Sequence, residues 1–446
     1  MTLPARTIHR ACVALGLAGA LLLLLAPAQA ALFDPLGIRS QTLSNGLRVI
    51  VQEEPESPVV AVEVVVRAGA ADETPGREGL AHLLEHVLWA KGGDNDPRAA
   101  IEDVGGTTNA GTRRDFTHYY ATVPRGNLAV AVRALGRIVL QNDFEQSVID
   151  RERRVIQEEV AGREDDPSAL LSTLTFETVY GREHPYGHAM EGSGPSLSSL
   201  GPAELGTFHR LWYGPNNLAL VVVGAADIDS VVTLAGQVFG ALVPGPVAAH
   251  QRGDVVRPAP ARTATIGTSL PDTYLMAAFV GPEIAEPTEV CATDVLTVLL
   301  SNASYGRLKR RLQDQSNLVK TMGVDFLTQR DRALLGIWVR CDAKDVPRVE
   351  EEIQAELTRL ATEPIPSKEL AIAKRLTLSS YAFANEAASD RATTLAFYES
   401  LNSYREAGLY AGRVRGLTEA DIRKVAQWYA GAPTWVLLSQ QQKGVT

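Results

Sequence analysis

The sequence predicts an α+β protein built as two similar domains, and three observations carry that expectation. Strand-like apolar runs cluster, and helical patterns come in blocks between them rather than alternating strand by strand. The order of elements repeats loosely in the second half. A stretch rich in proline and glycine separates the halves. At 446 residues the chain is also too long for one ordinary domain.

Residues 1–30 stand apart. Arg6, His9 and Arg10 precede an apolar run from Ala11 to Ala26, and Ala28-Gln29-Ala30 is a small-residue cleavage pattern. This reads as a secretory signal peptide. The run is short for a membrane anchor and the cleavage pattern follows at once, so export is expected, to the periplasm in a Gram-negative source. No later segment approaches the length of a membrane span. Loss of Arg6 and Arg10 takes the net charge from −9 to −11. An acidic chain without a basic run argues against nucleic acid as a partner.

The first domain is expected over 31–242. It opens with strand-like LRVIVQEE (47–54) and VVAVEVVVRAG (59–69). Helical patterns follow at 77–91 and 97–104, then strand-like TTNAGT and DFTHYYATV. Helices are expected over 126–141 and 145–163, a strand over 217–224 and a helix over 227–240. Residues 243–262, VPGPVAAHQRGDVVRPAPAR, read as the linker. The second domain, 263–446, carries strand patterns near 274–280 and 334–341, helical patterns near 287–301, 303–315 and 347–361, and a final strand TWVLLS. Letter-by-letter similarity between the halves is poor. Cys12 leaves with the signal peptide. Cys291 and Cys341 are expected as buried free thiols, though their spacing leaves pairing open.

The chemistry concentrates in GLAHLLEHVLWAKGG (79–93). His82 and His86 lie four apart, on one helix face, where two neutral imidazoles suit one zinc ion. Glu85 sits one turn from His82, within reach of a water on that ion, giving the inverted motif H-x-x-E-H. A catalytic zinc needs a third protein ligand and an open position. The acidic stretch DRERRVIQEEVAGREDD (150–166) offers Glu152, Glu158, Glu159 and Glu164. Glu152 and Glu159, seven apart, share a helix face, while Glu158 is rotated about 100° away. One face can thus supply a ligand, Glu159, and a supporting carboxylate, Glu152.

With these residues in place, the chain resembles the pitrilysin and mitochondrial processing peptidase family of inverted-zincin metallopeptidases. The resemblance rests on GLAHLLEHVLWAKGG, VGGTTNAGTRRDFTHYYATVP, ERRVIQEEV, HPYG and WYGPNNLALVVVG, in that order. It implies two α/β sandwich domains of mostly antiparallel sheet with helices packed on them. It implies one zinc ion per chain on His82, His86 and Glu159, Glu85 as general base and Glu152 in support. It further implies a peptide substrate added as a strand along Thr107–Thr112, at Asn109 and Ala110. Strand addition draws affinity from main-chain hydrogen bonds and discriminates little between sequences.

The remaining histidines are expected to be structural. His118 sits in an alternating strand, packed or facing solvent. His184 and His188 bracket a loop and are not expected to form a second metal site, while His209 and His250 lack acidic or histidine neighbours.

The resemblance fails in one place. Active members carry an Arg and a Tyr seven apart in the second half, where they hold substrate and stabilise the carbonyl oxygen. In YGRLKRRLQDQSNLVKTMGVDF (305–326) the matching positions hold Gln313 and Lys320. Gln lacks the charge and fork of Arg, and Lys is a flexible point charge rather than a rigid phenol. No tyrosine occurs between Tyr305 and Tyr381, so a shift of register does not restore the pair. The expectation is a zinc-bearing subunit whose homologous partner supplies Arg and Tyr. The alternative is a non-catalytic peptide-binding or scaffolding member.

Overall fold

The computed structural model describes residues 37–90, 96–246, 249–250, 253, 255 and 262–440. The expected signal peptide and much of the linker lie outside them. In the first half, β1 (Ile38–Thr42), β2 (Arg48–Glu53) and β3 (Val59–Val66) lead to α1 (Leu80–Trp89) and α2 (Pro97–Glu102). The hairpin β4 (Thr107–Thr112) and β5 (Thr117–Pro124) follows, then α3 (Leu128–Val139), α4 (Gln146–Glu164), α5 (Pro167–Tyr180), α6 (Gly194–Ser198) and α7 (Pro202–Trp212). This half closes with β6 (Leu218–Gly224) and α8 (Ile228–Phe239).

The second half begins with β7 (Arg262–Thr268), β8 (Thr273–Val280) and α9 (Pro287–Ser301). Next come α10 (Arg307–Lys309), which runs into π-helical turns over Arg310–Gln315, then β9 (Thr321–Leu327) and β10 (Leu334–Cys341). The chain ends with α11 (Val346–Thr362), α12 (Ser367–Phe383), α13 (Ala388–Leu401), α14 (Arg405–Gly416), α15 (Glu419–Tyr429) and β11 (Thr434–Gln440).

The two sheets run β1-β2-β6-β3-β5-β4 and β7-β11-β8-β10-β9. With β1 set aside, the strands of each half lie in the same spatial order. Each half also has one parallel pair, β2 with β6 and β7 with β11, among antiparallel neighbours. The loose repeat in the sequence is thus a repeat of topology. The central strands β3 and β6 are almost wholly apolar and β-branched, as strands covered on both faces require.

What covers those faces was not legible in the sequence. One face of the first sheet packs on α1, α3, α4, α7 and α8. Its other face is covered by α13 of the second half, through Ala388, Ala392, Leu395 and Ala396 against Ile50, Ala61, Val65 and Val221. Conversely, α5 of the first half packs on β8 and β11, with Leu171 against Val436 and Leu438. Each half lends one helix to the other. A second joint forms where the β9–β10 turn enters the first half. Arg330 donates from its backbone N and its guanidinium to Asp115 Oδ2 and O at 3.1 and 2.7 Å. Asp331 N donates to Tyr186 Oη at 3.0 Å.

Several expectations need correction. The helix expected from 303 starts at Arg307, because the Asn302 side chain accepts from the backbone of Ser304 and Tyr305 and turns the chain first. Residue 262, placed in the linker, begins β7. His250 does have an acidic neighbour: its Nδ1 lies 2.7 Å from Asp72 Oδ1, under a stacked Trp212. Cys291 and Cys341 are both free and buried, which raises their thiols to about 12 and about 11.

Candidate metal centre

Helix α1 is positioned by its first turn. Gly79 has φ 90°, a left-handed conformation that suits glycine, and a Cβ there would stand 2.7 Å from Glu191 O. Glu73, buried just upstream, accepts from Gly79 N at 3.0 Å and Ala81 N at 2.7 Å. A carboxylate thus satisfies two of the open N–H groups at the helix start. Leu80, Leu83, Leu84, Val87 and Leu88 drive the helix into the core, leaving His82 and His86 on the face turned to α4.

On α4, Ile149, Glu152, Ile156 and Glu159 form one stripe at spacings of three and four. The two isoleucines are fully buried and anchor the stripe. The two glutamates stand beside the histidines, so the seven-residue spacing does what the face argument expects. His82 Nε2 and His86 Nε2 lie 3.9 and 3.8 Å from Glu159 Oε2, and the two rings meet edge to face at 4.6 Å. His86 Nδ1 lies 3.6 Å from Glu152 Oε2, and Arg151 donates to Glu152 Oε1 at 2.8 Å. Among the described residues, His82, Glu85 and His86 are the one group of three or more possible ligands whose donor atoms lie within 4.8 Å of one another. Two ligand atoms on one tetrahedral zinc ion lie roughly 3.4 Å apart, so two imidazoles and one carboxylate at 3.8–3.9 Å fit that ion.

The electrostatics agree with that fit. Burial, then the neighbouring His86 and Arg163, lower the His82 pKa to about 3, which keeps its imidazole neutral as a metal ligand must be. His82 Nδ1 is buried without a hydrogen-bond partner. Burial also raises Glu85 above the usual carboxylate range, while His86 and a hydrogen bond from Thr112 oppose the shift. Thr112 Oγ1 donates to Glu85 Oε2 at 3.1 Å. Sequence reasoning missed Thr112 as a partner of Glu85, although strand alternation puts Thr108, Ala110 and Thr112 on one side of β4.

These groups line a cleft of about 1340 Å³ that also takes in Asn109, Ala110, Arg113, His118 and Tyr120. Among the described residues, strand β4 bonds only to β5, which leaves its other edge open beside Glu85. The Ala110 N–H is engaged by its neighbour's side chain, Asn109 Oδ1, at 2.9 Å. From the second half, only Ser389, Asp390 and Thr393 of α13 reach the cleft. Gln313 and Lys320 do come together, with Gln313 Nε2 donating to Lys320 O at 2.9 Å, but neither lines the cleft. Lys320 is held in ion pairs with Asp272 and Asp342. His184 stacks on Tyr180 and accepts from Tyr186 N, and His188 contacts Ala189 O. His209 contacts Val139 O and stacks on Tyr213, as a packed core histidine.

Comparison with known proteins gives the family. Residues 48–192 match the insulinase family (peptidase family M16), and residues 199–377 match the peptidase M16 inactive domain. A protein named an uncharacterized zinc protease in Mycobacterium tuberculosis is 30% identical over 348 residues, covering 76% of this chain and 78% of that one. The chain belongs to peptidase family M16. Another M16 relative, named an uncharacterized zinc protease in Bacillus subtilis, is 25% identical over 337 residues, covering 75% of this chain and 81% of its own. A protease structure from Helicobacter pylori superposes with TM-score 0.82 at 24% identity, over 90% of this chain and 99% of that one. A peptidase M16 inactive domain from Pseudomonas fluorescens superposes with TM-score 0.81 at 20% identity, over 91% and 98%. At such identities the superpositions speak for the M16 fold alone.

Proposed function

We propose that this M16 chain is an exported zinc-dependent endopeptidase acting on peptides or unfolded segments, periplasmic in a Gram-negative source. No helix among the described residues is long and apolar enough to cross a membrane, in keeping with that reading. One observation carries the chemistry: two imidazoles and Glu159 converge beside a carboxylate, Glu85, that faces an open strand edge. His82, His86 and Glu159 would hold one zinc ion per chain, which when bound acidifies a water and polarises a carbonyl. Glu85, buried and with its pKa raised, takes the proton from the attacking water and delivers it to the leaving amine. Thr112 fixes the rotamer of Glu85, and Glu152 steadies His86 from its Nδ1 side. The open edge of β4, with Ala110 N–H exchanging Asn109 for substrate, lays the peptide across the site.

The test is metal analysis together with Glu85→Gln. One zinc per chain in both proteins, with peptide cleavage reduced by at least about 100-fold in the variant, is the expected result. Undiminished cleavage would remove Glu85 as the base.

Among the described residues, no Arg or Tyr of the second half lines the cleft, and this motivates a further step. We read the chain as the zinc-bearing subunit of a heterodimer in which a homologous chain supplies that pair. Cleavage should then rise sharply when such a partner is added, whereas full activity of this chain alone would sink the idea. The same absence favours a second reading, a non-catalytic peptide-binding or scaffolding member. Zinc binding without cleavage, with or without a partner, would support it.

A further inference from the structure

One pair of buried ionisable groups in the cleft wall is not used by the chemistry above. His118 Nδ1 lies 2.6 Å from Glu63 Oε1, and both side chains are nearly enclosed. Glu63 Oε2 accepts from Thr393 Oγ1 at 3.0 Å, so α13 of the second half fixes the carboxylate from its far side. The ring is further wedged between Phe116 and Tyr120, at 5.5 and 5.2 Å. Its orientation is therefore set from three sides.

The register then decides where the free nitrogen points. His118 pairs across the hairpin with Gly111 of the edge strand β4. A Cβ on Gly111 would meet His118 Nε2 at 3.0 Å, so the bare glycine leaves Nε2 lying over the edge strand. Glu63 engages Nδ1, so Nε2 is the ring nitrogen left to face the cleft. Asp390, one turn before Thr393 on α13, adds a carboxylate to the same side of the cleft.

A peptide paired to β4 sends alternate side chains to opposite faces of the sheet. One set faces α1 and Glu85, and the other faces α13. We propose that His118, oriented by Glu63, is a specificity-determining residue. It would receive a substrate side chain on the α13 face and favour one that hydrogen-bonds with Nε2, such as Gln or Asn, over an apolar one such as Leu. An apolar side chain at that position would leave Nε2 unpaired, whereas an amide can pair with it. This inference rests on β4 being the strand to which the peptide pairs, and it gives an otherwise permissive strand-pairing groove one selective position.

Binding separates this inference from the peptidase reading. Zinc-loaded Glu85→Gln protein is titrated with labelled ten-residue peptides in which each position in turn is Lys, Gln, Leu or Glu. At one position Gln should bind at least about tenfold more tightly than Leu. Adding His118→Phe should reduce that ratio to within about twofold and leave the other positions unchanged. Adding Glu63→Gln instead, which keeps a hydrogen-bond partner for Nδ1 but removes the charge, should reduce it in part. A melting curve for each variant reports whether it is folded. The inference is overturned if no peptide binds, if no position prefers Gln to Leu, or if the preference survives His118→Phe in folded protein. Should His118→Phe fail to fold, an unchanged ratio in Glu63→Gln overturns it. Cleavage by the chain with Glu85 intact is scored separately: a selective binder that cuts nothing would sink the peptidase reading and leave the selectivity standing.

Discussion

His86 stands between two glutamates of α4, with Glu152 on its Nδ1 side and Glu159 on its Nε2 side. A carboxylate beyond a metal-bound imidazole orients the ring and raises its basicity, so its loss weakens metal binding. Glu152→Ala should weaken zinc affinity by about 10–100-fold in a chelator competition while leaving the melting curve of the zinc-free protein nearly unchanged. Unchanged affinity would mean that Glu152 serves only to tether Arg151. A different residue governs stability against pH. Desolvation pushes Asp294 of α9 up to about 7, and the hydrogen bond from Tyr410 at 2.8 Å only partly opposes it. The surrounding groups, Cys291, Tyr398 and Tyr410, are all shifted upward as well and stay neutral in this range. The folded chain thus keeps a proton that the unfolded chain releases near pH 4. Between about pH 4 and 7 the folded state binds more protons, so this residue's contribution to stability falls as pH rises, by at most about 1.4 kcal/mol per unit, and is flat above. Asp294→Asn should flatten the slope of the urea midpoint between pH 5 and 7 and raise the midpoint at pH 8. An unaltered slope would assign the pH dependence elsewhere.

At the scale of elements, the candidate metal centre is two helices held in register by what precedes them. The motif on α1 was legible because its three residues fall within little more than one turn. The α4 half was legible because seven residues are close to two turns; the structure adds that Ile149 and Ile156 are the buried part of the same stripe. The start of α1 was not legible: Glu73 lies seven residues upstream of Leu80, and only the fold brings its carboxylate onto the helix end. Gly79→Ala tests how far that start controls the site. The substitution puts a Cβ into a left-handed residue and within 2.7 Å of Glu191 O, so it should cost about 1–3 kcal/mol and shift the first turn, which carries His82. Lower thermal stability together with weaker zinc binding is expected. Normal zinc affinity in a destabilised variant would show that α4, rather than the first turn, positions the histidines.

At the scale of the whole molecule, the sequence division into two domains is right in topology and incomplete in packing. Both halves repeat one strand order, yet neither sheet is covered by its own half alone. The exchanged helices escaped sequence reading for a physical reason. Helix α13 packs on β3 and β6 of the other half's sheet and also on α14, so its apolar positions do not form a single stripe. The linker pattern suggested independent domains, whereas α5, α13 and the Arg330–Asp115 joint bind the halves together. A split chain shows the consequence. Produced alone, a fragment ending at residue 250 would expose Ile50, Ala61, Val65, Ala219, Val221 and Val223, a contiguous apolar face that soluble proteins rarely leave uncovered. It should aggregate or elute as large species. Co-produced with a fragment starting at residue 253, it should elute as a one-to-one complex that binds zinc, because α13 then restores the cover and Thr393 returns to Glu63. A soluble, zinc-binding first half on its own would refute this account of the exchange and restore the simpler picture of two independent domains on a linker.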